Sequence, residues 1–198
     1  TLLPNANFMQ QGATGATTTL LFTPADNQSG TATITITVTD ADGLMATTTV
    51  SLAVNGRPVA VSTTISTLED MATAATLSAT DPEGQTLTYS IVAQGTIGTV
   101  SITGTTTGTF TYTPTANING SDSFVYQVSD GSLTSTATVA ISIIAVNDTP
   151  SFSTGANLSV LDEAGAQTVP GYLTSISTGP SDEAGQTVQF MVTNNNVS

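Results

Sequence analysis

Residues 31–40 read TATITITVTD, a run in which every odd-numbered position is threonine and the positions between are mostly apolar. A period of two belongs to an extended chain, where successive side chains point to opposite faces; a helix, at about 3.6 residues per turn, would scatter the same apolar residues around its axis. One face is apolar and the other hydroxylated, which describes a strand with a core side and a wet side. The same habit recurs along the chain in short runs broken by Gly, Asn, Asp and Pro, the residues of turns. The fold class read from this pattern is all-β.

Composition then removes several kinds of function. The chain carries 14 acids against a single Arg, with no His and no Lys, for a formal net charge of −13. Nothing here neutralises phosphates, so nucleic acid is not an expected partner. The acids must instead be solvated or bridged by cations. The absence of Cys rules out disulfides and thiolate metal sites, and the absence of Lys rules out Schiff bases and Lys-Asn isopeptide cross-links. The longest apolar stretch, VAISIIAV at 139–146, is too short to span a bilayer as a helix, so no direct membrane insertion is expected. No signal-peptide pattern opens at Thr1, and the chain reads as a piece of something longer.

Self-comparison exposes a repeat. VNGRPVAVS (54–62) matches VNDTPSFST (146–154) at an offset of 92, and the LED at 68–70 matches the LDE at 161–163 at 93. DPEGQTLTY (81–89) matches DEAGQTVQF (182–190) at 101, which places eight extra residues in the YLTSISTGP region. TPADNQSGTATITITVTD (23–40) aligns with TPTANINGSDSFVYQVSD (113–130) at 90. The expected organisation is one complete unit at 56–149, the C-terminal half of a unit at 1–55 and the N-terminal half of the next at 150–198. The halves are complementary: VTNNNVS (192–198) stops where TLLPNANF (1–8) begins, so 198 residues reads as the period of a tandem array or homopolymer. Alone, the halves should expose Ile34, Ile36 and Val38 on one side and Leu158, Val160, Val188 and Phe190 on the other. Residues 1–55 of a neighbouring copy are then needed to complete 150–198, covalently or by strand exchange.

Within the complete unit, strands are expected near 59–67, 72–80, 86–93, 98–103, 108–113, 122–129 and 133–145, with SDG at 129–131 and DADG at 40–43 as hairpin turns. Seven short strands in this length indicate a Greek-key β-sandwich of cadherin or immunoglobulin type. Tyr89, Ile91, Phe110, Tyr112, Phe124, Tyr126, Val128, Val139, Ile141 and Ile143 share inward faces and form the expected core.

At this point the chain resembles a known group. DPEGQTLTYSIV, GTVSITGTTTGTFTYTPTANINGSDSFVYQVSDG and the closing VND resemble the bacterial cadherin-like and immunoglobulin-like tandem repeats of large calcium-dependent adhesins and surface filaments. The resemblance runs the length of the chain, both halves included. It implies an extracellular rod at the cell surface, stiffened by Ca²⁺ held by acids at domain junctions and used for adhesion, biofilm or surface structure.

Strand counting reaches the junctions independently. The turn after the first strand, with Glu69 and Asp70, falls at the downstream pole beside Asn147 and Asp148. The turn with Asp81 and Glu83 falls at the upstream pole beside Asn55, and the turn at Asp130 returns there. In the straddling unit the same count puts Asp162 and Glu163 at its downstream pole and Asp182 and Glu183 at its upstream pole. The 147–150 junction should thus unite Glu69, Asp70, Asn147 and Asp148 with Asp182, Glu183 and Asp40 of a neighbouring copy. Hard oxygens in that number suit Ca²⁺. At the 55–58 junction Gly56 stands in place of the acid and Arg57 follows, so a guanidinium paired with Asp81, Glu83 or the preceding unit's Glu163 is expected to replace part of the metal's role.

Each of these acids has a plainer reading as turn chemistry. DADG lacks the remaining acidic positions of an EF-hand loop. Other classes of function are a module binding surface glycans or proteins and, with no His, Lys or Cys, a paired-carboxylate hydrolase. Both are disfavoured: the segment is a regular repeat, Trp is absent, and the acids sit in turns while the aromatics belong to the core. The chain is therefore read as non-enzymatic.

Overall fold

The computed structural model describes residues 1–4, 8–14 and 17–194. In chain order the strands are β1 (Phe8–Thr14), β2 (Thr17–Phe22), β3 (Gly30–Thr39), β4 (Met45–Val54), β5 (Val59–Val61), β6 (Thr63–Leu68), β7 (Thr73–Thr76), β8 (Ser78–Thr80), β9 (Thr88–Ala93), β10 (Gly98–Ile102), β11 (Thr109–Pro114), β12 (Gly120–Ser129), β13 (Thr134–Ile144), β14 (Ser151–Thr154) and β15 (Leu173–Ser177), followed by a 3-10 turn at Ser181–Glu183.

Strands β5 to β13 build the complete unit as an all-β sandwich. One sheet runs β6-β13-β12-β9, the other β10-β11-β7, and β5 pairs with β8. Two of the seven expected runs are split. The first breaks at Ser62, where β5 leaves its antiparallel partner β8 and β6 turns to run parallel to β13. The Tyr126 hydroxyl sits at that break, accepting the Val61 N–H at 3.0 Å and facing the carbonyls of Val61 and Ser78 at 2.8 and 2.7 Å. The second breaks at Leu77, which buries its side chain between β7 and β8 while its N–H reaches the Gly108 carbonyl. The other five strands lie within two residues of their expected limits.

The core assembles from the faces that alternation marked. Phe110 and Tyr112 come from one sheet, and Phe124, Tyr126, Val139, Ile141 and Ile143 from the other, with Leu77 and Val100 completing the cluster. Val128 is buried on the same face of β12, and Tyr89 and Ile91 are half-buried against the core. Phe110 and Phe124 meet edge to face across the two layers at 5.2 Å between ring centroids. Such a pair adds about 1 kcal/mol beyond the burial of its surface.

The flanking halves form two-stranded pieces. β3 pairs with β4, and β14 with β15. Val38, Leu158, Val160 and Phe190 stand exposed, and Ile36 and Val188 are half-exposed. Ile34 departs from expectation and is buried. The segment Thr1–Leu3 lines the same groove as residues 31–35 and is tied down by the Ala25 N–H on the Leu2 carbonyl, which explains the difference.

Candidate functional site

Of the acids expected at the poles, Glu69, Asp70, Asp148, Asp182 and Glu183 lie around the 147–150 linker, and Asp81, Glu83 and Asp130 around the 55–58 linker. At the downstream pole the chain leaves β6 through Glu69 and Asp70, the latter in the left-handed region at φ 61°. The Glu69 N–H closes onto the Ile144 carbonyl at 3.0 Å, and its Oε1 accepts the Val146 N–H at 2.6 Å. Asp70 Oδ1 accepts the Asn117 N–H at 2.8 Å, which ties this turn to the β11–β12 loop. Beyond the linker, the turn at 181–183 comes back to meet it: Glu183 Oε1 accepts the Asp148 N–H at 2.6 Å, and Asn119 Nδ2 reaches Asp182 Oδ2 at a loose 3.5 Å. Asn147 is exposed, with its amide on the Asp148 carbonyl.

Polar atoms are left over at this seam. Glu69 is only 1% exposed and Glu183 only 4%, yet Glu69 Oε2, Glu183 Oε2 and Asp148 Oδ2 are buried without a hydrogen-bond partner. An orphaned charged oxygen in such a place costs at least ~1–3 kcal/mol unless something compensates it. The Asp148 carboxyl is pushed above the usual carboxylate range by burial first, then by the charges of Glu183, Asp70 and Asp182. Gly179 leaves the room that Glu183 occupies, since a Cβ there would stand 2.0 Å from Glu183 Oε2.

The upstream pole repeats the plan with different spelling. Asn55 Nδ2 donates to Asp130 Oδ2 at 2.9 Å, and Glu83 Oε2 accepts the Gly56 N–H at 2.8 Å. Gly56 corresponds to Asp148, so one linker amide is captured in both seams, by the third residue of DPEG in one and the second residue of DEAG in the other. Asp81 Oδ1 takes the N–H groups of Glu83 and Gln85, leaving Asp81 Oδ2 and Asn55 Oδ1 buried and unpartnered. The Asp130 carboxyl lies below its ordinary range, held there chiefly by the Leu133 N–H and then by Ser132 and Asn55.

Arg57 pairs with neither Asp81 nor Glu83, two of the carboxylates expected for it. Its guanidinium donates to the Thr134 carbonyl, while Glu83 and Asp81 are taken by backbone amides. The absence of an acid at position 56 has a steric cause. A Cβ on Gly56 would lie 2.6 Å from Ser29 Oγ and 2.9 Å from Pro82 Cγ, so the loop at 27–29 packs where a side chain would have to go.

The remaining acids stay apart from the seams. Asp40 Oδ1 accepts the N–H groups of Asp42 and Leu44 and closes its own hairpin. Asp162 and Glu163 are exposed in a turn closed by the Ala164 N–H on the Leu161 carbonyl. Among the described residues, no three acidic side chains form a group already tight enough to hold a metal ion.

One carboxylate escaped the sequence reading. Asp122 is buried at the start of β12, accepting from Tyr112 at 2.6 Å, from the Thr96 N–H at 2.8 Å and hydroxyl at 3.1 Å, and from the Ile97 N–H at 3.3 Å. The signal was present: Asp122 alternates with Phe124, Tyr126 and Val128 on the inward face. The repeat supplies a second signal, because the positions matching Tyr112 and Asp122 are Phe22 and Ala32, lacking hydroxyl and carboxylate together.

Comparisons place the chain among known proteins. It is similar to an endo-fucoidan hydrolase of glycoside hydrolase family 107, MfFcnA9, at 23% identity over 71% of this chain and 26% of that one, with a TM-score of 0.37. It is also similar to the surface layer protein SbsC. For domains 4–9 of SbsC the identity is 17% over 80% of this chain and 27% of that one, with a TM-score of 0.35. For domains 4 and 5 it is 14% over 66% and 84%, with a TM-score of 0.27. The chain spans about a quarter of the length of the hydrolases it matches. No curated protein matches its sequence. Among the described residues no helix is long and apolar enough to cross a membrane. The bacterial Ig domain profile matches at residues 3–53 and again at 55–142. With most of its length so matched, and with a Greek-key sandwich at its centre, the chain belongs to the bacterial Ig domain family.

Proposed function

We propose that this chain is an extracellular structural repeat, a length of rod at a bacterial cell surface whose sandwiches are stiffened against one another by Ca²⁺. The observation that carries the reading is the set of orphaned oxygens at the 147–150 seam, Glu69 Oε2, Asp148 Oδ2 and Glu183 Oε2, lying beside Asp70 and Asp182. The donor set fits the ion. All of these are hard oxygens, none is a nitrogen or sulfur ligand, and carboxylates with Asn147 approach the six to eight oxygens that Ca²⁺ takes.

Glu69 and Asp70 belong to one module, Asp182 and Glu183 to the next, and Asn147 and Asp148 to the linker between them. A divalent cation neutralises the repulsion among them and draws the two modules onto the linker. Because the acids are not already closed on one another, binding and stiffening are the same event. The 55–58 seam, with Asp81, Glu83, Asp130 and Asn55, offers fewer free oxygens and is the weaker site. Extracellular modules of this kind bind with Kd of about 10⁻⁴ to 10⁻³ M, so the seams fill where calcium is near millimolar, outside the cell.

Small-angle scattering with calcium titration tests the reading. The chain should become longer and less variable in shape as calcium rises through about 10⁻⁴ to 10⁻³ M, and chelation should reverse the change. Profiles that superimpose with and without chelator refute it.

A further inference from the structure

We propose that β3 and β4 of one copy and residues 151–193 of a second copy of this chain combine into one closed sandwich, in a register that can be stated pair by pair. The idea extends the structural role above without depending on calcium.

The first support is that β3–β4 duplicates β12–β13 in three dimensions. Gly30–Thr39 and Gly120–Ser129 are strands of equal length. Each is preceded by an Asn in the left-handed region, Asn27 at φ 55° and Asn117 at φ 57°, and each begins at a positive-φ Gly. Ile34 pairs with Val50 as Phe124 pairs with Val139, so the same face points inward in both hairpins. In the complete unit that face is sealed, whereas in β3–β4 Val38 is 66% exposed.

The second support comes from the other half. β14 pairs antiparallel with β15 as β5 pairs with β8, which identifies them as the opening strands of a sandwich. What should follow is the strand corresponding to β9, and the sequence QTVQFMVT at 186–193 matches it. Those residues form no strand here, and Phe190 is 48% and Val192 90% exposed. In the complete unit β9 has one ladder partner, β12. Residues 186–193 lack the β12 that would order them, and β3 lacks the β9 that would cover it.

Register follows by transfer. Val128 faces Tyr89 and Tyr126 faces Ile91, so Val38 should face the neighbouring copy's Phe190, and Ile36 its Val192. Ile141 runs beside Ile65, so Leu52 should run beside the neighbouring copy's Leu158. The proposed partner is a second copy because within one chain the two faces flank opposite poles of the complete sandwich, and β13, which runs between those poles, is 11 residues or ~36 Å long.

The absence of Cys makes the test clean. Val38→Cys and Phe190→Cys chains, one carrying a mass tag, are mixed and oxidised in chelator. The expected product is a mixed covalent dimer, at least ~10-fold more abundant than with Thr37→Cys, which lies on the other face of β3, because a disulfide needs adjacent, converging Cβ atoms. Three results overturn the proposal: equal yields from both pairings, no mixed dimer at any concentration, or a Val38→Cys/Phe190→Cys double variant that closes only within its own chain. Because chelator is present throughout, cross-linking here alongside calcium-insensitive scattering refutes the calcium reading and leaves this one standing.

Discussion

Replacing Asp122 by Ala should destabilise the complete sandwich by ~3–5 kcal/mol, because it leaves several buried donors unsatisfied at once, each costing ~1–3 kcal/mol before relaxation. The figure follows from what the carboxylate holds. Its two oxygens accept four hydrogen bonds, from the Tyr112 hydroxyl, the Thr96 N–H and hydroxyl and the Ile97 N–H, and truncation strands a phenol that is wholly buried. Tyr112→Phe should cost less, about 1–2 kcal/mol, since three donors remain on the carboxylate. The double variant is the informative one. It installs the Phe and Ala found at positions 22 and 32, and because the stranded phenol is gone, with only the Thr96 and Ile97 donors left without their acceptor, it should fall short of the additive sum by ~1–3 kcal/mol. Urea titration read by hydrogen exchange at β11 and β12 isolates this sandwich from the flanking halves. pH supplies a second reading. Burial raises the Asp122 carboxyl, but the Tyr112, Thr96 and Ser123 donors outweigh it and hold the group below its ordinary value. A lowered folded pKa contributes stability above the unfolded value of about 3.9 and loses it as pH falls through the folded one, so acid sensitivity should drop in the double variant. Additive single effects, or an Asp122→Ala cost under ~1 kcal/mol, refute the account, because a hydrogen-bonded buried carboxylate cannot be removed that cheaply.

Other outcomes follow from the seams. Glu183→Gln should weaken calcium binding by about tenfold, equivalent to ~1.4 kcal/mol, in a calorimetric titration, with the isolated sandwich fold unchanged by circular dichroism. The Asp148 carboxyl is raised, so its protonated form favours the calcium-free seam, and that contribution is lost as pH rises through the folded pKa. Calcium affinity should therefore fall as pH drops through that raised value, with proton release on binding, and Asp148→Asn should flatten the profile. Gly56→Ala should disrupt the packing of Ser29 and Pro82 at the other seam by ~1–3 kcal/mol, seen as faster proteolysis of the 55–58 linker.

How far the sequence could be read depended on whether the deciding contact was local. Strands such as β12 and β13 were legible because alternation is a property of neighbours along the chain. The breaks at Ser62 and Leu77 were not: VAVSTTIST holds no Gly or Pro to interrupt it, and at Ser62 the exchange of one partner strand, β8, for another, β13, divides it. Counting strands brought Glu69 and Asp70 to the linker that also receives Glu183, but put Asp162 and Glu163 at a pole where they form only a local exposed turn. The partner of Arg57 was not, because the choice between a carboxylate and the Thr134 carbonyl is made by the path of β13. Asp122 was illegible for a different reason: an acid on a core face is recognised only from its acceptor role toward a Tyr on the preceding strand, β11.

The seams carry this reasoning one step further. Aligned by position, Glu83 matches Ala184, and Pro82 matches Glu183, so residue by residue the repeat loses one acid and gains another. In space both glutamates perform one task, receiving the linker N–H that follows an Asn, at 2.8 Å in one seam and 2.6 Å in the other. What the repeat preserves is a carboxylate on an amide, and turn position is free to vary around it. The difference that matters is the residue bearing that amide. At 148 it is Asp, which adds a carboxylate to a crowded acidic seam and leaves an oxygen unpartnered; at 56 it is Gly, because Ser29 and Pro82 fill the space of a side chain. Room for one side chain thus separates the seam with three unpartnered carboxylate oxygens from the one that packs around Gly56, and it is the first that the proposed cation would draw together.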